Sequence, residues 1–267
     1  MTTTSTLPRP ARVEWSPRQF SVDGLVFRVW SSAAEASSPT IVLVHGVGMS
    51  HRSFLHLHPR LARTASVHSV DLPGFAGLPA PEVDVSVAAM ADALADVLRR
   101  VVARPAVLVG HSMGAQWVVE TAVRHPDLVG GLVLIGPVVD DQRRGLPAQA
   151  VALARDGLRE PPRVNLRVTL DYLRTGPRWF FAQVRHMLAY PLEERVAEAV
   201  VPTLVVRGGR DPIAGNGWVD RLAARTARSS VLVVPGKGHH VERTAAEAVA
   251  HGILALTASG GHPAGAS

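Results

Sequence analysis

No cysteine occurs among the 267 residues, which removes disulfides, a thiolate nucleophile and cysteine-ligated metal from the available chemistry. Lysine is almost as scarce, since Lys237 alone of the 28 basic residues is not an arginine. The net charge is +6, from 28 basic against 22 acidic residues, yet the arginines are scattered among acids and apolar residues. No run or stripe forms, so no nucleic-acid partner is expected. Long apolar stretches are missing too: none approaches the roughly 18 residues of a membrane span. The opening segment Met1–Pro10 lacks the apolar centre of a signal peptide. Internal repeats are absent. The expectation is a soluble, cytoplasmic protein with no membrane partner, and the oligomeric state is not encoded in any of these features. What is abundant is apolar content, at 47%, enough for one large α/β domain with an insertion.

Periodicity sets out that domain. Around Val13 to Ser16 and from Phe20 to Trp30, apolar and polar residues alternate about a turn at Asp23-Gly24, which predicts an antiparallel hairpin. Thr40 to Val44 is a continuous β-branched and leucine run of the kind buried on both faces. A helical stretch near Ser53 to Ala65 and a strand from Ser66 to Val70 follow. Val87, Met90, Leu94, Val97, Leu98 and Val101 recur at three- and four-residue spacing, so Ser86 to Val101 is an amphipathic helix. Further strands are expected at Ala106–Val109, Gly131–Ile135, Thr203–Arg207 and Ser230–Val234, with helices at Met113–Arg124, Trp218–Ala227 and Thr244–Leu256. This alternation implies a mostly parallel sheet with helices on both faces. The segment from Pro137 to Ala199 breaks it, interleaving arginines and acids with Trp179, Phe180, Phe181 and Met187, and reads as a short helical insertion. The Gly-, Ala- and Ser-rich end, Thr257 to Ser267, reads as disordered.

Between an expected strand and an expected helix stands Gly110-His111-Ser112-Met113-Gly114. That setting is the one a G-x-S-x-G nucleophile elbow needs: a sharp, strained turn that lifts the serine hydroxyl above the sheet, with small neighbours to allow it. A serine hydroxyl keeps its proton at neutral pH, so a base must stand beside it, oriented by a third group. Asp211 follows the strand ending at Arg207, and His239 follows the strand ending at Val234. In open α/β sheets the carboxyl ends of parallel strands face one crevice, so Ser112, Asp211 and His239 are expected to meet there. Asp140 and Asp141, just past Ile135, are rival acids.

These residues carry a resemblance. With His45-Gly46, Gly48, the segment Asp71 to Phe75, Gly208 to Asp211 and Gly238-His239, taken in this order, the chain resembles the α/β-hydrolase fold family, in its small capped bacterial form, over roughly residues 13 to 256. The resemblance implies Ser112 as nucleophile, Asp211 as acid and His239 as base. It also implies an oxyanion hole from the backbone N–H groups of Val47 and Met113, where two fixed donors oppose the charge on a tetrahedral intermediate. The core is expected at residues 13–136 and 200–256, a helical cap at 137–199, and flexible tails at 1–12 and 257–267. Two positions depart from the family pattern, Thr244 and Ala246 standing five and seven residues after His239, while Glu247 and Val249 keep the register.

The function expected is carboxylesterase-type hydrolysis of an ester or other acyl bond of a small, largely apolar molecule, through an acyl-enzyme on Ser112. Neither metal nor organic cofactor is implied. Carbon–carbon bond hydrolysis and cofactor-free perhydrolysis are alternatives within the fold, and non-catalytic ligand binding is the alternative of another class. Trp179 and Phe180 are candidate substrate-binding residues, or else the small core of the cap. Trp117 reads as packing, His45 as a shaper of the oxyanion loop, His56 and His58 as solvated surface, and Arg52 and Arg178 as surface charges.

Overall fold

The computed structural model describes residues 15–145, 171 and 174–260. The expected tail before residue 13, Val13 and Glu14, the stretch 146–170 of the expected cap and residues 261–267 lie outside the described residues. The chain enters the sheet as a hairpin, β1 (Ser16–Val22) and β2 (Leu25–Ser32), paired antiparallel. Asp23 and Gly24 turn it, both at positive φ, +49° and +79°. A two-residue connection of this kind requires such angles to match the twist of its strands.

Six further strands follow: β3 (Thr40–Val44), β4 (Ser66–Asp71), β5 (Ala106–His111), β6 (Val129–Ile135), β7 (Thr203–Gly208) and β8 (Ser229–Val234). Together they form an eight-stranded sheet in the order β1-β2-β4-β3-β5-β6-β7-β8. Only the β1–β2 and β2–β4 pairs are antiparallel, and the remaining ladders are parallel.

The central strands are apolar on both faces because both faces are covered. Val42, Val44, Leu108, Leu132 and Leu134 join one buried cluster, while Ile41, Leu43, Val107, Val109, Val133 and Ile135 join another. The period-2 alternation of a strand separates the two sets. Helices α2 (Val87–Val101) and α3 (Gly114–Arg124) supply Met90, Leu94, Trp117 and Val118 to the first face. The α2 start is fixed by Ser86, whose hydroxyl accepts from the Ala89 N–H, a cap worth about 1 kcal/mol.

The expected helix from Ser53 to Ala65 is broken. A 3₁₀ turn at His51–Phe54 precedes a single turn, α1 (His58–Leu61), with Pro59 in its opening positions. Proline has no N–H to bond back and its ring collides with the preceding turn, so a helix begins near it and does not run through it. The later segment holds α4 (Pro177–Ala189), α5 (Leu192–Glu198) and α6 (Asn216–Ala224). After β8 come a short α7 (Val241–Thr244) and a final α8 (Ala246–Gly260). The last helix therefore runs past the expected end at Leu256, and residues 257–260 extend it where a tail was expected. No helix of the described residues is long and apolar enough to cross a membrane.

Candidate active site

The serine sits where β5 turns into α3, with φ at +57°. A side chain in this left-handed region costs roughly 1–3 kcal/mol, which the surroundings must impose. They do so by close approach. A methyl group on Gly110 would stand 2.3 Å from the Gly114 carbonyl oxygen, and one on Gly114 would stand 2.3 Å from that of Val44. Neither position has room for any residue but glycine. The Ser112 N–H donates to the Ile135 carbonyl across to β6 at 2.9 Å, anchoring the turn to the neighbouring strand.

Beyond β7 and β8 the other two expected residues meet. His239 Nδ1 lies 2.9 Å from Asp211 Oδ2, both side chains buried. Oδ1 of the same carboxylate accepts from the N–H groups of Ile213 and Ala214, at 2.8 and 3.0 Å. Burial alone would push this carboxyl up. The charge and hydrogen bond of His239 and the two backbone donors outweigh it, and hold it down at about 2. An ionised carboxylate only accepts, so the imidazole proton sits on Nδ1 and leaves Nε2 as a bare acceptor. Gly136, whose N–H bonds to Val206, links this pair to the serine turn. A methyl group there would be 2.9 Å from His239 Nδ1 and 3.4 Å from Asp211 Oδ2, one residue after the Ile135 that holds Ser112.

Of the two adjacent histidines, His239 meets Asp211, whereas His240 Nδ1 faces Glu242 Oε1 at 3.2 Å. The rival acids are engaged elsewhere. Asp140 and Asp141 both pair with Arg221 of α6, the former at 2.6 Å.

The loop after β3 carries Val47, and Met113 caps the start of α3; both are buried. His45 controls the first of these. Its Nδ1 lies 2.7 Å from the Gly46 carbonyl oxygen and its Nε2 accepts from the Leu72 N–H at 3.2 Å. Burial lowers its pKa, so the ring is neutral with its proton on Nδ1. Since C=O and N–H of a trans peptide point in opposite directions, holding the Gly46 carbonyl fixes the direction of the Val47 N–H.

Trp179 of α4 is buried against the loop of Gly74 and Phe75: a methyl group on Gly74, at φ +77°, would be 2.3 Å from its Nε1. Among the described residues that nitrogen has no hydrogen-bond partner. Phe75 stands 6.2 Å from Trp179 and from Trp117, and 5.4 Å from His45. Phe180, half-buried, packs against the core cluster that includes Phe75, Trp117 and Trp179 and meets Phe181 edge-on at 5.6 Å. A cavity of about 580 Å³ is lined by Pro81, Val83, Asp84, Arg178, Trp179 and Arg185 among others. Among the described residues its walls do not include Ser112, Asp211 or His239. Trp117 is fully buried, as packing requires. Arg178 is exposed, and Arg52 reaches Asp171 at 3.4 Å.

His58, Arg207 and Glu242 are buried side chains that escaped the sequence reading. His58, expected at the surface, is fully buried, with Nδ1 2.7 Å from Ser69 Oγ, Nε2 3.0 Å from Ser32 Oγ, and its ring stacked on Trp15 at 3.9 Å. His56 alone is exposed. Arg207, at the end of β7, is also buried and donates to the carbonyls of Ala214 and Asp211 at 2.7 and 3.2 Å, bracing the Asp211 loop. A charged residue closing an otherwise apolar strand was the available signal.

Residues 41–251 match the alpha/beta hydrolase family. This chain belongs to that family. Among curated relatives, the hydrolase is similar to the dihydrolipoyllysine-residue acetyltransferase component of the acetoin cleaving system of Pseudomonas putida, at 28% identity over 90% of this chain and 69% of that protein. It is also similar to a pimeloyl-acyl-carrier-protein methyl ester esterase of Neisseria meningitidis, at 34% identity over 75% of this chain and 86% of that one. Of solved structures, the enol-lactonase of Burkholderia xenovorans superposes with a TM-score of 0.76 at 19% identity, covering 90% of this chain and all of that one. The last likeness is one of fold.

Proposed function

We propose that this hydrolase cleaves an ester or other acyl bond of a small, largely apolar substrate through an acyl-enzyme on Ser112. The observation that carries the reading is the buried Asp211–His239 hydrogen bond, 2.9 Å long, together with a serine held at φ +57° just past the end of β5 in the same sheet. In the first half-reaction Ser112 Oγ attacks the carbonyl carbon while His239 Nε2 takes its proton, and Asp211 steadies the imidazolium. The N–H groups of Val47 and Met113 serve the oxyanion, the first aimed by His45. The proton then passes to the leaving group, and His239 activates the water that releases the acid. Trp179, on α4 within a cap of residues 137–199, contributes apolar wall to the substrate site, and Phe180 lies beside it as a more peripheral candidate. The esterase name of the Neisseria relative agrees with this substrate class.

The test is labelling with a fluorophosphonate, read by intact mass, alongside a chain-length panel of p-nitrophenyl esters. One adduct, lost in Ser112→Ala, is expected. A protein that binds acyl compounds without an adduct or turnover would be a ligand-binding module, and turnover retained by Ser112→Ala would exclude the acyl-enzyme.

A further inference from the structure

His111, the residue before Ser112, has a fully buried ring and takes no part in the chemistry just described. Its Nε2 lies 3.3 Å from the main-chain carbonyl oxygen of His239 and 3.4 Å from Glu242 Oε2. A carbonyl can only accept, so this hydrogen bond requires the proton on Nε2, and the nearby ionised carboxylate favours it there electrostatically. Among the described residues its Nδ1 has no hydrogen-bond partner, consistent with the proton being on Nε2. Glu242, fully buried in the first turn of α7, bonds through Oε1 to His240 Nδ1 at 3.2 Å, while its Oε2 makes no hydrogen bond among the described residues and stands near His111 as a charge. Burial would raise this carboxyl, but the neighbouring histidines hold it at about 2. Burial also holds His111 neutral, down to about 3.

We propose that His111 is a positioning residue, clamping the loop of His239 to the Ser112 turn by donating from Nε2 to the His239 carbonyl, with Glu242 fixing the tautomer that makes donation possible. This rests on the reading of Ser112 as nucleophile and His239 as base. The placement explains why a clamp matters. The loop between β8 and α7 contains Gly236, at φ +72°, and Gly238, so its own backbone is permissive. His111 is bonded covalently to Ser112 and its ring centre is 4.9 Å from that of His239. One hydrogen bond thus ties base and nucleophile to a common frame. A displacement of about 1 Å between reacting groups is enough to cost on the order of 100-fold in rate.

The whole chain and four variants decide it, with kcat and KM for p-nitrophenyl butyrate and the fluorophosphonate labelling rate as readouts. His111→Leu removes the donor, and kcat and the labelling rate should both fall about 10- to 100-fold with KM little changed. His111→Gln places an amide N–H near the site of Nε2 and should restore most of the loss. The shorter His111→Asn cannot reach the carbonyl and should not. Because Gln and Asn are both polar, their contrast holds even if the leucine variant does not fold. Wild-type kcat in His111→Leu, Gln performing no better than Asn, or a loss confined to KM would each overturn the assignment. So would activity abolished by a chelator and restored by zinc, since the ligand-type atoms of His111, His240 and Glu242 lie within 4.8 Å of one another and would then be a metal site. Ser112→Ala separates the two readings: if it retains turnover the serine mechanism falls, whereas if it is dead and His111→Leu is normal only the clamp falls.

Discussion

Replacing Asp211 with Asn tests the site with little change of shape. The Asp211 carboxylate uses Oδ1 for the N–H groups of Ile213 and Ala214 and Oδ2 for His239. In Asn, only one of those positions is an oxygen. Two backbone donors outnumber one imidazole, so the amide oxygen takes the place of Oδ1 and the NH₂ group faces His239 Nδ1. A donor there forces the imidazole proton onto Nε2, leaving no lone pair to receive the Ser112 proton. The wrong tautomer should lower kcat by about 10⁴, equivalent to about 5.5 kcal/mol of transition-state stabilisation. Steady-state hydrolysis of an activated p-nitrophenyl ester measures kcat, and thermal melting with fluorophosphonate labelling separates chemistry from unfolding. A folded Asp211→Asn enzyme within tenfold of wild type would refute the reasoning, as would a collapse caused instead by Asp140→Asn or Asp141→Asn.

Three other outcomes follow from the same geometry. His239→Gln should abolish ester turnover, while His240→Gln, altering a ring that faces Glu242, should change kcat less than about tenfold; the reverse order, measured on one activated ester, would exchange their roles. Trp179→Ala should shift the ratios of kcat/KM across an ester chain-length series, whereas a uniform loss with a lowered melting temperature would mark the ring as cap packing. On acidification, Asp211 and Glu242 titrate in the folded protein at about 2, from ordinary values of 3.8 and 4.5. Depressed folded values stabilise the fold above the ordinary pKa and lose that contribution as pH falls toward 2. The Asp211 share is on the order of 2 kcal/mol, and urea midpoints that do not drop between pH 5 and 2.5 would contradict it.

Legibility in the sequence tracked the range of the interaction. Strand and helix order could be read because Ile41 to Val44 and Met90 to Leu98 carry their burial in local periodicity. The strained turn at Ser112 could be read because its strain is relieved by glycines two residues away, and the meeting of Asp211 with His239 because both follow strands whose ends must share one edge. His58 was misplaced because its partners, Ser32 and Ser69, come from β2 and β4, and local pattern does not reveal such partners. Glu242 was hidden for the same reason, since His111 comes to it from β5; the acceptors of Arg207 lie in the loop just after it, and only the folding back of that loop, which strand periodicity does not encode, makes its burial tolerable. Pro59 is a different case, since the break it causes was visible locally.

What keeps these distant residues in register is main chain more than side chain. Ser112 N–H bonds to Ile135, Gly136 to Val206, Gly209 to Val234, and Arg210 to Lys237, each at 2.8–2.9 Å. These bonds run from the end of β5 across β6 and β7 to the loop after β8, so the ends of four neighbouring strands are joined in series. A sheet edge tied in this way resists local change, because moving one loop means breaking a bond to the next. It follows that substitutions such as Asp211→Asn, which leave that series intact, act on proton placement without collapsing the site. His111 adds a side-chain tie where the series ends, at the glycine-rich loop that must present His239 to Ser112.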